Sequence, residues 1–196
     1  MKPIRIIALI ALCINLMACS LFSQPQELPK FPLFSPRDFP QALQVTQLVS
    51  SQVNDLPQVL IASWSIEESK MKLVGLTATG QELLRLEYDG KKLKEFYSPL
   101  LSIPIEGRIV LSQIQLAYWP LDKIEAELET SAWQVVEKES HRQITFNGHL
   151  ITSIKALEDD VEPKEYSQSW PHLLISNPIL KQEITIKTLD VGKLHE

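Results

Sequence analysis

The sequence predicts an α+β protein, in which an antiparallel sheet is interrupted by two helices. Apolar and polar residues alternate over short segments in both halves of the chain, which is typical of strands with one buried face. Asp89-Gly90 and Asn147-Gly148 follow two of these segments and favour tight hairpin turns. Between the two groups of strands, residues 106–128 carry apolar side chains at helical spacing. The order of strands, helices and strands gives the fold class.

The strands of the first half follow from period-two patterns. A weak strand is predicted from Leu43 to Val49, a clearer one over residues 58–66, and a third around residues 71–73. Residues 77–80 read as a turn, and residues 81–88 and 93–97 as the two arms of a hairpin. The side chains predicted to face inward are Leu60, Ala62, Trp64, Ile66, Met71, Leu73, Leu84, Leu86 and Tyr88.

Two helices are predicted on either side of Pro120, which cannot continue the first one. Residues 106–118 form the longer helix, and residues 121–128 the shorter one, with a charged outer face. The apolar side of the longer helix holds Ile109 or Val110, Gln113, Ile114 and Ala117, and that of the shorter helix holds Leu121, Ile124 and Leu128.

Strands resume after the helices. Residues 132–138 and 142–146 are predicted to pair with a strand in which Leu150, Thr152, Ile154 and Ala156 share a face. Residues 158–169 form an acidic polar loop, and residues 173–175 and 183–189 complete the sheet.

The N-terminus has the three parts of a secretory signal. Lys2 and Arg5 precede an apolar run that is too short to span a bilayer, and a small residue stands before Cys19. Leu-Met-Ala-Cys at residues 16–19 resembles the lipobox of bacterial lipoproteins. This implies removal of residues 1–18, acylation of Cys19 with palmitate-type chains and, because Ser20 is not Asp, sorting to the periplasmic face of the outer membrane. The alternative is a plain signal peptide with a chance cysteine.

Residues 19–41 follow as a proline-rich tether, and residues 42–196 form one folded domain. Five prolines between Ser20 and Pro40 exclude a helix or a central strand there. The segment either stays extended, holding the domain some tens of ångströms from the membrane at about 3 Å per residue, or docks on the domain through Phe31, Leu33 and Phe34.

The net charge and the cysteine content indicate which partners are disfavoured and what must stabilise the domain. Loss of Lys2 and Arg5 with the signal takes the formal charge from -5 to -7, which disfavours nucleic acid as a partner. The two cysteines lie at Cys13, in the signal, and at Cys19. No thiol remains for a disulfide, so a packed core must stabilise the domain.

Several segments resemble the outer-membrane lipoprotein carrier and receptor proteins LolA and LolB. They are Leu-Val-Gly-Leu-Thr-Ala-Thr-Gly-Gln-Glu-Leu-Leu-Arg-Leu at residues 73–86, Ile-Pro-Ile at 103–105, Trp-Pro-Leu at 119–121, Trp-Gln-Val at 133–135 and the closing strand at 183–189. Together with Gln-Leu-Ala-Tyr-Trp-Pro at 115–120, the first of these is more similar to an uncharacterised family of LolB-like lipoproteins, often encoded beside aryl-polyene biosynthesis genes.

This resemblance implies an antiparallel half-barrel whose concave side is capped by the two inserted helices. Its apolar cavity would hold acyl chains, since each Å² of apolar area buried contributes roughly 25 cal/mol. The alternative is a barrel that its own side chains fill completely. The predicted lining residues are Leu60, Trp64, Met71, Leu73, Leu84, Leu86, Ile114, Tyr118 and Ile124.

One departure from LolB concerns the loop before Gly80. An apolar Leu at the tip of that loop helps LolB to pass lipoproteins into the membrane, whereas the matching position here is Thr79, with Leu76 three residues earlier. The resemblance therefore extends to the fold more than to lipoprotein insertion.

No catalytic or metal-binding cluster is recognised. His141, His149, His172 and His195 are scattered, and no GxSxG motif occurs. No cofactor is expected, and an enzyme is the least favoured class. Arg85, Arg108 and Arg142 are predicted to be surface charges, although Arg108 is also a candidate partner for a lipid phosphate or carboxylate.

Two hypotheses remain after these exclusions. The first is a membrane-anchored periplasmic protein that binds or transfers a hydrophobic ligand, such as an acyl or polyene lipid or lipoprotein acyl chains. The second is a non-catalytic scaffold with a filled barrel that docks a protein partner.

Overall fold

The computed structural model describes residues 28–53, 56–101, 105–157 and 172–193. The chain divides into two compact units, Met1–Lys30 and Phe31–Glu196, and the regular elements among the described residues lie in the second. A short 3-10 turn at Pro36–Asp38 precedes the first strand. The strands are β1 (Leu43–Val53), β2 (Leu56–Glu67), β3 (Lys70–Leu76), β4 (Glu82–Tyr88), β5 (Leu93–Tyr97), β6 (Trp133–Lys138), β7 (His141–Phe146), β8 (His149–Ala156), β9 (His172–Asn177) and β10 (Gln182–Lys193). The helices are α1 (Gly107–Tyr118) and α2 (Leu121–Leu128).

All ten strands form one antiparallel sheet in the order β5-β4-β3-β2-β1-β10-β9-β8-β7-β6. Each half of the chain is a meander of five strands, and the β1–β10 pair joins the two meanders at the centre. Strands β5 and β6 are therefore the two edges, and the helices connect one edge to the other. The predicted strands, helices and α+β class are confirmed, and the sheet is open among the described strands.

The predicted turns form as their sequences indicate. Asn147 and Gly148 have φ values of 50° and 77°, the left-handed conformation that a tight hairpin between β7 and β8 requires. Gly90 also has a positive φ, and the Asp89 carboxylate accepts hydrogen bonds from the backbone N–H groups of Lys91 and Lys92 at 2.9 and 2.7 Å. These bonds lower the pKa of Asp89, because they favour its charged form.

The prediction that Leu150 shares a face with Thr152 and Ile154 is wrong. The register of β7 with β8 pairs Ile144 with Thr152 and Thr145 with Leu150, so Ile151 is an extra residue in a bulge. A bulge turns the following side chains by one position. Thr152 and Ile154 are buried as predicted, whereas Leu150 is 39% exposed and Ile151 takes a place in the core.

The sheet curves around α1. Nine steps of about 4.8 Å would separate the edge strands of a flat sheet by roughly 43 Å. Yet Tyr97 of β5 bonds to the backbone of Gly107, and the next residue, Arg108, bonds to Phe31, whose ring lies against Trp133 of β6. This short chain of contacts links β5 to β6, so the two edge strands lie closer together than they would in a flat sheet.

Helix α1 is buried on all sides along its second half. Every residue from Leu111 to Tyr118, and Trp119 after it, is at most 9% exposed. Helix α2 is amphipathic, burying Ile124 and Leu128 only. Neither helix in the described parts of the chain has the length and apolar character needed to cross a membrane.

Candidate functional site: the interior of the sheet and its strap

The predicted lining residues come together in one buried cluster, with one exception. Leu60, near the β1–β2 turn, is only half-buried and lies outside the cluster. The other eight are between 0 and 9% exposed and pack with apolar residues of α1, α2 and the N-terminal segment. The buried members of the predicted set are Trp64, Met71, Leu73, Leu84, Leu86, Ile114, Tyr118 and Ile124.

A buried hydrogen-bond network fixes α1 to the centre of the sheet. Trp64 Nε1 donates to Gln47 Oε1 at 3.0 Å, and Gln47 Nε2 donates to Tyr118 Oη at 2.6 Å and to Thr188 Oγ1 at 3.3 Å. Each of Gln47's polar groups thus has a partner, as a buried amide requires. Burial raises the pKa of Tyr118 to about 12, with the hydrogen bonds of Thr188 and Gln47 acting in the opposite direction.

Residues 31–39, which we call the strap, cover the side of α1 that the sheet leaves open. Phe31 and Phe34 are 2% and 1% exposed. The Phe31 ring lies 5.4 Å from that of Trp133 on β6, and the half-buried Phe39 ring lies 4.7 Å from Trp119 and 6.5 Å from Trp64 on β2. The strap therefore runs between the two halves of the sheet. Of the two alternatives for this segment, docking on the domain is the one observed for these residues.

The strap backbone is held by two side chains of α1. The Gln115 amide accepts from the Phe34 N–H at 2.9 Å and donates to the Phe34 carbonyl at 2.8 Å. Arg108 Nη1 donates to the Phe31 carbonyl at 2.7 Å. The predicted surface position of Arg108 is therefore only partly right, because its side chain is half-buried under the strap.

Three polar groups of α1 and a fourth on the residue that directly follows the helix share the strap-facing side. Arg108, Ser112, Gln115 and Trp119 follow one another at spacings of four, three and four residues, which places them along one helix face. Ser112 Oγ and Trp119 Nε1 are buried and have no hydrogen-bond partner among the described residues. The strap thus lies on a row of donors of which it uses only part.

The start of α1 packs closely on β4 and β5. A Cβ atom on Gly107 would lie 2.5 Å from Glu95 Oε1 and 2.6 Å from Leu86 Cδ2, so any other residue would have to displace the ends of these side chains. The Gly107 N–H donates to Tyr97 Oη at 2.9 Å. Burial raises the pKa of Tyr97, the bond from Gly107 opposes this, and the neighbouring Glu95 carboxylate adds to it.

The end of α1 is held by an arginine predicted to lie on the surface, and this prediction is wrong for Arg142. Arg142 is 6% exposed, and its Nε donates to Glu137 Oε2 at 2.7 Å. Its Nη1 donates to the carbonyls of Leu116 and Trp119, which have no partner inside the helix. A cation at a helix C-terminus also interacts favourably with the helix dipole. Arg85, in contrast, is exposed as predicted.

The loop that differs from LolB is polar at its tip. Thr79 is exposed, and its hydroxyl lies 2.9 Å from that of Thr77, which also accepts from the Gln81 N–H at 3.1 Å. Leu76 is half-buried at the end of β3. The exposed Ala78 contributes only a methyl group, so no large apolar side chain is presented at the tip of this turn.

Several predictions fall outside the described residues. They concern the signal at residues 1–18, the lipidation of Cys19, the role of Ser20, the Ile-Pro pair at 103–104, the acidic loop at 158–169 and His195. In the described parts of the chain, no group of three or more His, Cys, Asp or Glu residues is arranged to hold a metal ion.

The sequence analysis missed the polar residues that organise the interior. Gln47 and Gln115 are 1% and 0% exposed. Neither was predicted to be buried, because the predicted core was assigned mainly from apolar residues. The available signal for Gln115 was its place inside a run of buried apolar residues, where a polar side chain needs a specific partner.

These features define a curved antiparallel sheet that packs around α1 and has two free edges among its described strands. The strap covers the side of α1 that the sheet does not. Residues 44–190 match the family described as "Protein of unknown function (DUF3261)", and the chain belongs to this family. The predicted relationship to an uncharacterised family is thereby confirmed. No curated protein matches the chain.

Several solved structures are similar to this one, and two of them are as follows. A LolA superfamily protein from Nitrosomonas europaea is 11% identical, with a TM-score of 0.46 over 82% of this chain and 90% of that one. A putative outer membrane lipoprotein-sorting protein domain from Vibrio parahaemolyticus is 10% identical, with a TM-score of 0.42 over 80% and 88% of the two chains.

Proposed function

We propose that this protein is a non-catalytic periplasmic lipoprotein, anchored to the outer membrane through Cys19, that binds or transfers a hydrophobic ligand. One observation carries the proposal. The apolar interior of the open sheet is closed by a nine-residue strap whose only regular structure is one 3-10 turn. Such a strap can leave without breaking a strand pairing, and the apolar surface beneath it is then open to an acyl chain.

The energetics of this exchange are balanced. Burial of a Phe side chain contributes about 1.5–3 kcal/mol. Phe31 and Phe34 together therefore contribute about as much as four to eight methylenes of an acyl chain, at about 0.8 kcal/mol each. An acyl chain that fills the same groove therefore compensates for displacing the two rings. The remaining interior, held by Trp64, Gln47 and Tyr118, stays intact during the exchange.

The N-terminal sequence supports the location. Acyl chains on Cys19 would hold the protein at a membrane, since two or more chains anchor stably where one does not. The residues between Cys19 and the strap, which include Pro25 and Pro29, would give the domain reach from that membrane. A strap that is continuous with the anchor keeps its groove close to the lipid surface.

Lipid extraction from the purified mature chain, produced with Cys19→Ser so that it carries no anchor, tests the proposal. Mass spectrometry of the extract is expected to show an acyl lipid in near-stoichiometric amount, and a fluorescent fatty acid is expected to quench tryptophan emission. Butyrate, which has the same head group and almost no chain, is the control and is expected not to compete. Absence of both extracted lipid and probe binding would refute the carrier function.

The second candidate is a scaffold with a filled interior, and the low exposure of the eight lining residues favours it. A partner would then bind the outer face of the sheet, where Val59 and Phe96 are 55% and 45% exposed. This candidate predicts that Val59→Glu and Phe96→Glu abolish a partner complex while the purified protein contains no lipid. Retention of the complex by both variants would exclude it.

A further inference from the structure

The strap makes contacts that resemble those of an amphiphile. Two rings, Phe31 and Phe34, fill apolar space, while two carbonyl oxygens accept hydrogen bonds from Arg108 and Gln115. A fatty acid or an acyl ester offers the same combination of an apolar chain and an acceptor oxygen. The strap thus satisfies chemical requirements that an amphiphilic ligand also meets.

The charge of Arg108 is not neutralised within the described residues. None of the ion pairs formed there includes it, and its hydrogen bond goes to a backbone carbonyl, which carries no net charge. Burial raises the pKa of Tyr88, and the charge of Arg108 opposes this rise. The charges of Asp89 and Glu127 add to it, so both carboxylates lie in the same region as Arg108. Neither carboxylate forms an ion pair with Arg108, so the guanidinium remains able to bind an anion.

The polar row on α1 extends beyond what the strap uses. Ser112 Oγ and Trp119 Nε1, on the same helix face as Arg108 and Gln115, are buried and have no partner among the residues described. Buried polar groups ordinarily have a partner, because an unpaired one keeps its full desolvation cost. These two groups are further hydrogen-bonding positions along the groove.

Resting on the proposed function, we infer that the groove beneath the strap is the ligand site and that it takes an amphiphile with an acceptor head group. The acyl chain replaces the Phe31 and Phe34 rings, and a carboxylate or ester oxygen replaces the strap carbonyls at Arg108 and Gln115. The strap is then an internal competitor, and a carboxylate is preferred over an ester because charge-assisted hydrogen bonds are the stronger kind.

Two probes separate the chain from the head group: dansyl-undecanoic acid and its methyl ester. Phe34→Ser weakens the strap, so it is expected to raise the affinity for both probes about tenfold, whereas Phe96→Ser on the outer face leaves both unchanged. Arg108→Gln is expected to lower the acid-to-ester affinity ratio about tenfold. Arg85→Gln, at an exposed arginine stacked on Phe96, is the control and leaves the ratio unchanged.

The acid-to-ester ratio is used because Arg108→Gln also loosens the strap, which changes both affinities together and leaves their ratio unaltered. The inference is overturned if Phe34→Ser binds no more tightly than the wild type, or if Arg108→Gln and Arg85→Gln give the same ratio. If no probe binds to the wild type or to Phe34→Ser, the proposed function itself fails.

Hydrogen exchange on the mature chain with Cys19→Ser, which has no substitution in the strap or the groove, tests the same inference. Addition of dansyl-undecanoic acid is expected to speed exchange of the strap amides, including the Phe34 N–H that Gln115 holds, and to leave β1 and β2 unchanged. Binding of the acid with unchanged exchange in residues 31–39 would place the ligand elsewhere and overturn the inference.

Discussion

Helix α1 is bonded to the sheet and to the strap in two different ways. At the centre of the sheet, Tyr118 bonds to Gln47, which bonds to Trp64, through side chains alone; among the described residues, the backbone of α1 bonds to sheet side chains only at its two ends. Towards the strap, Gln115 and Arg108 bond only to backbone atoms. A side-chain network requires one residue type at each position, whereas backbone contacts require only a donor or an acceptor in the right place. The first arrangement specifies one packing, and the second accepts any chain with suitable polar groups.

The largest effect is expected from breaking the sheet side. Trp64→Ala removes a ring that is 2% exposed and leaves Gln47 Oε1 without its donor. The free energy of unfolding is expected to fall by about 3–5 kcal/mol, as for other buried aromatic truncations. Urea denaturation measures it, with Phe96→Ala on the exposed face as a control that changes it by about 0.5 kcal/mol. A loss below about 1 kcal/mol for Trp64→Ala would contradict the central role of the network.

Alkaline pH sharpens the comparison, because Tyr118 belongs to the sheet side. Its pKa in the folded protein, about 12, lies above the ordinary tyrosine pKa of 10.0. The unfolded chain therefore loses this proton first, and the stability it contributes is complete below pH 10 and declines between about pH 10 and 12. The expected loss is about 2–3 kcal/mol, at 1.36 kcal/mol per unit.

Denaturation of the wild type and Tyr118→Phe at several pH values measures this difference. The variant is expected to show a smaller decline, since the remaining tyrosines titrate in both proteins. Equal slopes would show that Tyr118 is not buried as described.

Gly107→Ala tests how closely α1 approaches β4 and β5. Alanine favours helix, but its Cβ would lie within 2.6 Å of Leu86 Cδ2, so the variant is expected to lose about 1–3 kcal/mol of stability. Gly192→Ala is the matched control, because no atom lies within 4 Å of the added Cβ there. A Gly107→Ala protein as stable as Gly192→Ala would contradict the close packing.

The smallest effect is expected on the strap side. Gln115→Leu removes both bonds to Phe34, which contribute about 1 kcal/mol each, while its leucine still fills the space. Exchange of the strap amides is expected to rise about thirtyfold, which is what about 2 kcal/mol corresponds to, with little change in global stability. Gln113→Leu, whose Nε2 is already unpaired among the described residues, is the control. A large loss of global stability in Gln115→Leu would make the strap a part of the core.

Local signals were sufficient to predict the strands, the helices and their turns. Asn147-Gly148 and Asp89-Gly90 fix their turns through the positive φ that glycine tolerates, and Pro120 separates two helices whose apolar spacing is visible in a few residues. Five of the nine proposed lining residues lie on strands and are buried because alternation assigns them to one face. Helical spacing accounts in the same way for Ile114 and Ile124. Leu150 fails because one bulged residue changes the phase of the pattern.

Contacts between residues that are distant in the sequence could not be predicted from these local patterns. The strap has no period, and its partner Gln115 lies 81 residues away. Arg142 reads as a surface charge until the helix end that it binds, 23 to 26 residues earlier, is in place. The role of a polar side chain inside a core depends on hydrogen-bond partners that are distant in the sequence, so it cannot be predicted before the fold is known.

The pairing of β1 with β10 has a consequence for how the chain folds. Leu43 lies opposite Lys193, so the central pair of the sheet joins segments from opposite ends of the domain. Loop closure over such a separation is entropically costly, and folding rates fall as the average separation of contacts rises. Each meander can form from neighbouring hairpins, but the enclosure around α1 requires both of them. The domain is therefore expected to fold slowly, with the union of its two halves as the late step.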